Sequence, residues 1–457
     1  MPIIELANSD FESKSENVSR TKLSNMYIVQ NPLSLSGYSY VPRPSLTQII
    51  DNTGSQNRGI WCQSSAGQTT IYAVSGETLY VVTPYNSLIA VGRISGTGPC
   101  TFSSTIYGIG IVADGAFYIY DNVTLTSVAI PDNLSAGDIT SLDNYFIISI
   151  INSNKFYWVL PGETTIDPLS FASAERNPDD IVSVKSVGDE LWLLGQSTAE
   201  VFIDTGDVNA PFTRISGRVY DTGCVDRLTP VKSLKNTLPC LIWVTPSKEV
   251  VLSQGTPSKI SDESVEEVLK KARTFKAWSF TTNRHDFYVL NTDLASFVYD
   301  LTSDKWYRWS SYEHPYWLAS LGIQVQDTIY AVNTENGQIF TLGYDATDSE
   351  GDFLVCEVGG FIPNISINSL PCNWITLFLS YGSSSSYTTA PIIEIRWSDD
   401  GGKTWTNYMQ GQTGAKGLYD TEVTYRSLGK IVRPGRNIEI RFSEVQVFRL
   451  DGATLNE

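Results

Sequence analysis

One unit recurs along most of this chain: an apolar β-run, a turn built on Gly or Asp, and an aromatic β-run. Thr70–Val74, the turn Ser75-Gly76-Glu77 and Thr78–Val82 form one instance. Ile109–Val112, Ala113-Asp114-Gly115 and Ala116–Tyr120 form another, with further β-runs at Tyr145–Ser149, Glu190–Leu194, Leu241–Val244 and Thr328–Val332. The spacing, about 40 to 50 residues, is that of propeller blades. Within the stretch 171–207, Asn177-Pro178-Asp179-Asp180 is turn material, Ile181–Val187 and Leu191–Leu194 are β-rich, and Asp204–Asp207 turns the chain again. No fixed signature dipeptide marks the repeat, so the pattern predicts an all-β, β-propeller-like domain over residues 41–345 and leaves its blade number open.

A chain of 457 residues exceeds one simple core. The turn-rich segment Gly343–Asp352 is the expected boundary, and the alternating runs at 375–379, 392–397 and 438–442 predict a β-sandwich over residues 346–457. Residues 1–40 are polar with short apolar patches. They read either as an extended N-terminal arm that orders on a partner or as an edge strand folded back on its own domain. One segment breaks the β pattern: Ser264-Val265-Glu266-Glu267 reads as a capping box opening a short inserted helix, with Val265, Val268, Leu269 and Ala272 on one face.

The net charge of −17, from 49 acidic and 32 basic residues, argues against a protein that grips nucleic acid, because such grip needs Lys and Arg to displace phosphate counterions. Acidity suits a wall along which a duplex slides, and equally suits plain solubility. No run approaches the roughly 18 to 20 apolar residues of a membrane helix. The opening residues lack a basic, then apolar, export signal, so synthesis in a cytoplasm is expected. Six scattered cysteines without a Cys-x-x-Cys pair predict buried free thiols.

The chemistry-bearing candidates are few. Ser398-Asp399-Asp400-Gly401-Gly402-Lys403-Thr404-Trp405 fits the Asp-box pattern, a hairpin turn found repeatedly in sialidases, and its role is expected to be structural here. A glycosidase needs two facing carboxylates. Asp179, Asp180, Asp189 and Glu190 are available, but all sit in turns. His285 and His314 are too isolated for a metal cluster or triad, and Ile94–Pro99 is Gly-rich without a P-loop lysine. The basic cluster Arg426, Lys430, Arg433, Arg436 and Arg441 reads either as a contact for an acidic partner or as a solvated strand face. No catalytic, cofactor-binding or metal-ligating residue is assigned, no cofactor is expected, and the chain is not expected to be an enzyme.

Several of these motifs occur in an order that resembles one family. Ser173-Ala174-Glu175, Asn177-Pro178-Asp179 and Ile181 are followed by Glu190-Leu191-Trp192-Leu193, Gly195 and Thr205-Gly206-Asp207. Then come Gly223-Cys224, Ser233, Arg284–Leu290, Val298-Tyr299-Asp300, Lys305-Trp306 and Asn336–Phe340, and finally Ser398–Trp405 and Arg426–Lys430. The order, over roughly residues 40–450, is similar to that of the packaged-DNA stabilisation proteins of short-tailed bacteriophages, also called tail hub or nozzle proteins. The resemblance implies a virion structural protein, located in the phage tail, that forms a homo-oligomeric ring of six copies below the portal–adaptor complex. It further implies a ring that prolongs the DNA channel, retains packaged DNA, and carries plug or needle and tail spike or fibre proteins. Double-stranded DNA would pass without sequence-specific binding, and this chain would not insert in a membrane. The competing reading is a carbohydrate-active or glycan-binding β-propeller, supported by the Asp box and the aromatics.

Overall fold

A computed structural model describes residues 2–12, 20–51, 54–65, 67–174, 179–207, 210–344, 348, 353–381, 391–413, 420–443 and 448–456. They form two compact units, one of residues 48–293 and 319–341, the other of residues 1–47, 294–318 and 342–457.

The first unit is a β-propeller. Seven innermost strands succeed one another around an axis: Asn57–Ser65, Cys100–Thr105, Ala136–Leu142, Ile181–Val187, Val231–Lys235, Phe275–Thr282 and Leu321–Val325. Each opens an antiparallel meander, and blades 1 to 5 are complete four-stranded sheets. Blade 6 is represented here by the hairpin Phe275–Thr282 and His285–Thr292. Blade 7 closes the ring, because its fourth strand is Ser45–Ile50, which precedes blade 1 in the chain. Buried Asn57 reinforces that seam by donating its Nδ2 to the carbonyls of Gln338 (2.9 Å) and Asn333 (3.2 Å), while its amide donates to Asn336 (3.0 Å).

The second strand of a blade shows why these runs are apolar throughout rather than alternating. In Tyr145–Ile150, the side chains of Phe146, Ile148 and Ile150 pack toward blade 2 with Val112, Phe117 and Ile139. Ile147 faces the other way, toward blade 4, with Val184, Leu191 and Phe202. Successive side chains of a strand point to opposite faces, and in a propeller both faces are covered by a neighbouring blade. The tight turns carry Asx residues where the backbone needs positive φ. Asp114-Gly115, Asp143-Asn144, Asn236-Thr237 and Asn283-Arg284 each place two successive residues there, the geometry of a two-residue hairpin loop.

The inserted helix is Glu263–Lys271, which starts before the expected capping box. Asp262, not Ser264, is its N-cap, accepting from the Val265 amide at 3.0 Å. Ser264 is buried inside the first turn, so it cannot serve as the flanking cap. Val265 and Leu269 are fully buried, as the helical spacing predicts.

The second unit is a β-sandwich. One sheet runs, in spatial order, Ser296–Asp300, Lys305–Trp309, Leu23–Ser24, Cys356–Pro363, Gly435–Phe442, Ile392–Ser398 and Met409–Gln412, with Glu5–Leu6 also paired to Cys356–Pro363. The other runs Asp420–Arg426, Trp374–Tyr381, Phe448–Asn456, Tyr38–Pro42 and Met26–Gln30. The Tyr425 hydroxyl bridges them, donating to the Ile393 carbonyl at 2.6 Å. The chain therefore divides otherwise than at the expected 40/41 and 345/346 boundaries. The described residues of 1–40 are no detached arm: they pair with strands from residues 356–363 and 448–456 because lone edge strands leave backbone groups that sheet pairing satisfies.

Candidate functional site: the propeller axis

The innermost strands enclose a cavity of about 310 Å³ on the propeller axis. Every blade contributes polar or sulfur atoms to its wall from its first strand, among them Cys62, Ser103, Thr140, Lys185, Lys232, Ser279 and Gln324, and blade 6 also adds Ala277 and Trp278. Close approach at the axis demands small residues. A Cβ on Gly322 would lie 2.5 Å from two ring atoms of Trp278, whose Nε1 is fixed by the Ala319 carbonyl at 3.1 Å.

The charged groups of the wall are cationic: Lys185, Arg227 and Lys232. Behind them lies Asp138, wholly buried, whose Oδ2 accepts from Lys185 Nζ (2.8 Å), the Ser183 hydroxyl (2.5 Å) and the Val184 amide (3.1 Å). Arg227 donates to the carbonyls of Gly137 and Pro99, the latter at 2.9 Å. Lys232 Nζ meets the Ser186 hydroxyl at 3.1 Å. Its side chain is accessible to water, yet burial pushes its ammonium down to about 8, with the charge of Lys185 adding to the effect.

The residues singled out in the sequence are dispersed, and each is occupied locally. Asn177 and Pro178 lie outside the described residues. The Asp179 carboxylate is buried and accepts from the Ser197 and Thr198 amides, both at 2.8 Å, and from the Thr198 hydroxyl at 3.0 Å. Asp180 faces Gln196, and Glu190 pairs with Arg218 at 2.5 Å and accepts from Trp192 Nε1 at 3.0 Å. These carboxylates brace turns and do not face one another across a cleft. His285 is buried and stacked on Phe287, and His314 is exposed beside Tyr316. All six cysteines are free thiols, five of them buried. Among the described residues no cluster of three His, Cys, Asp or Glu is placed to hold a metal ion.

The Gly-rich loop 94–99 is the connector from blade 1 to blade 2, and its carbonyls are gathered by buried Arg58. That guanidinium donates to Gly98 (2.6 Å), Ile94 (2.9 Å), Gly76 (3.1 Å) and Ser95 (3.2 Å). The Asp box is saturated by its own turn: Asp400 accepts from the Ser398 hydroxyl and from both the amide and hydroxyl of Thr404, while Trp405 Nε1 donates to the Gly402 carbonyl at 3.1 Å. The basic cluster is no uniform solvated face. Arg436 is fully buried, forked onto Asp399 with two bonds of 2.7 Å and donating to the Leu428 carbonyl, and Arg441 pairs with Glu394. No local pattern in the sequence marks Lys185, Arg227 and Lys232 as a set, because three-dimensional closure of the ring alone brings them to the axis.

Residues 4–345 match the family described as bacteriophage P22 Gp10, β-propeller. The chain thus belongs to the bacteriophage packaged-DNA stabilisation family, whose members are virion structural proteins. No curated protein matches the sequence. Among solved structures, the chain is similar to BBS1N in complex with ARL6DN, with a TM-score of 0.45 and 9% identity over 66% of this chain and 97% of that one. It is also similar to PorZ of Porphyromonas gingivalis, at TM-score 0.39 and 13% identity over 80% of this chain and 46% of that one. A third similarity is to YCF48 from Cyanidioschyzon merolae, at TM-score 0.40 and 10% identity over 65% and 98%.

Proposed function

As a member of this family, the chain, we propose, is a wall segment of a short phage tail: a tail hub or nozzle subunit that joins a ring of six copies below the portal–adaptor complex. The ring prolongs the DNA channel, retains the packaged genome, and carries the plug and the spikes or fibres used in ejection. Family membership over residues 4–345 carries this reading. The axial cavity supports one feature of it. At about 310 Å³ it has the size of a small-molecule site. A duplex, whose major groove alone is about 12 Å wide, cannot enter it. A DNA channel would therefore form between copies, not through the propeller of one.

An acidic chain suits that placement. At −17 per copy, a ring concentrates negative charge, and a like-charged wall lets phosphates pass without trapping them. Native mass spectrometry of the purified protein with its portal–adaptor complex tests the reading. A six-copy addition to the complex is expected, and a chain that stays monomeric and unbound in the mixture overturns it.

A further inference from the structure

The propeller axis carries a feature that wall-building does not use. In a chain of net charge −17, the charged side chains lining the cavity are all cations: Lys185 from blade 4, Lys232 from blade 5, and Arg227 from the loop leading into blade 5. The carboxylate within reach, Asp138 of blade 3, gives its Oδ2 to Lys185 and to blade 4 donors, while its Oδ1 is buried without a hydrogen-bond partner. Lys232 has a hydroxyl as its hydrogen-bond partner and no carboxylate.

Three cations gathered on one wall repel one another unless an anion lies between them. A spherical, multivalent oxyanion offers acceptors in several directions at once, and desolvated cations hold it more strongly than solvated ones. We propose that the axial cavity of the propeller is a binding site for a small multivalent oxyanion of the phosphate class, held by Lys185, Lys232 and Arg227. The cavity volume sits at the lower end of small-ligand sites, which fits inorganic phosphate or pyrophosphate and excludes a duplex.

Lys232 is the switch of affinity, since the groups around it are otherwise fixed. Lys185 is held by Asp138 Oδ2 and Arg227 by backbone carbonyls, Cys62 and Cys100 are thiols that burial keeps neutral, and blade 6 and blade 7 present Trp278, Ser279 and Gln324 to the cavity. An anion favours the protonated amine, so affinity is present below about pH 8 and is lost as pH rises through that value.

The test is calorimetric titration of the full chain at low salt with pyrophosphate, with inorganic phosphate, and with a short DNA duplex at equal phosphate concentration. Saturable pyrophosphate binding is expected, at one per chain, weakening between about pH 7 and about pH 9.5 by at least about tenfold relative to Lys232→Arg, for which the ligand's own titration is the same. Lys232→Met is expected to lower affinity about tenfold or more, and Lys232→Arg to retain binding with only the ligand's own pH dependence. Absence of saturable binding to the wild-type chain overturns the proposal, as does Lys232→Met binding with wild-type affinity, or a duplex that displaces pyrophosphate phosphate for phosphate. The pH arm compares the wild-type protein with Lys232→Arg, so it decides the matter even if Lys232→Met fails to fold: an equal pH dependence of the two overturns the proposal.

Discussion

Replacing Arg58 by Met should loosen the seam between blades 1 and 2 more than any other single change of surface-type residue in the propeller. The side chain is 3% exposed and its guanidinium serves four backbone carbonyls, at Gly76, Ile94, Ser95 and Gly98. Methionine keeps most of the apolar stem, so the loss isolates the polar head. A hydrogen bond from a charged donor contributes about 1.5–3 kcal/mol, but the four bonds share one group and do not add. Asp114, at 41% side-chain exposure, adds little because solvent screens its 3.2 Å pair. Leaving backbone carbonyls buried without a donor costs about 1–3 kcal/mol each, so with partial relaxation the loss is about 3–5 kcal/mol. Because two compact units do not guarantee one transition, the effect is best read locally, by hydrogen exchange at the Ile94 amide, which donates to the Glu77 carbonyl at 2.8 Å, together with urea unfolding. Arg93→Met is the control, since that arginine reaches Glu77 at the surface. The reasoning fails if Arg58→Met costs less than about 1 kcal/mol and the Ile94 amide keeps its protection.

Gly322→Ala should cost about 1–3 kcal/mol and shift the Trp278 emission, because the new methyl meets a ring whose N–H is already anchored; an unshifted spectrum with full stability refutes it. Cys100 and Cys224, whose thiols burial pushes up to about 12, should resist a disulfide reagent at about pH 8 until urea unfolds the chain. Rapid labelling of either in the native protein contradicts the packing. Asp400 should stay ionised below the range of ordinary carboxylates, held there by the Thr404 hydroxyl and amide and then by Ser398. Its depressed pKa means the turn gains stability above the unfolded carboxyl value, near about 3.9, and loses it as pH falls through the folded one. Carboxyl NMR showing a midpoint at or above the ordinary value refutes that.

Much of the propeller was legible in the sequence because its determinants are local. A two-residue turn with positive φ needs Asn, Asp or Gly, and a strand covered on both faces needs an unbroken apolar run such as Tyr145–Ile150. Both signals lie within a dozen residues and recur. The sandwich was legible in part for the same reason: Trp374–Tyr381, Ile392–Ser398 and Gly435–Phe442 are strands near where alternation predicts them. Its membership was not. Leu23–Ser24 pairs on one side with Lys305–Trp309 and on the other with Cys356–Pro363, and nothing in two residues specifies either partner. Periodicity tells which face of a strand is buried, and long-range pairing decides whose strand it is.

The same distinction explains why turn carboxylates attracted attention and the axial cations did not. Asp179, Glu190 and Asp400 stand beside glycines and prolines in the sequence, where polar groups are conspicuous, yet each spends its oxygens on neighbouring donors. Lys185 and Lys232 lie within innermost strands, in sequence surroundings that resemble any half-exposed β-run. What separates them from surface lysines is ring closure: seven first strands converge on one axis, so a side chain that would point to solvent in an open sheet points to the other blades instead. A cation in that position is desolvated by geometry that no single blade contains, and its chemistry belongs to the closed ring.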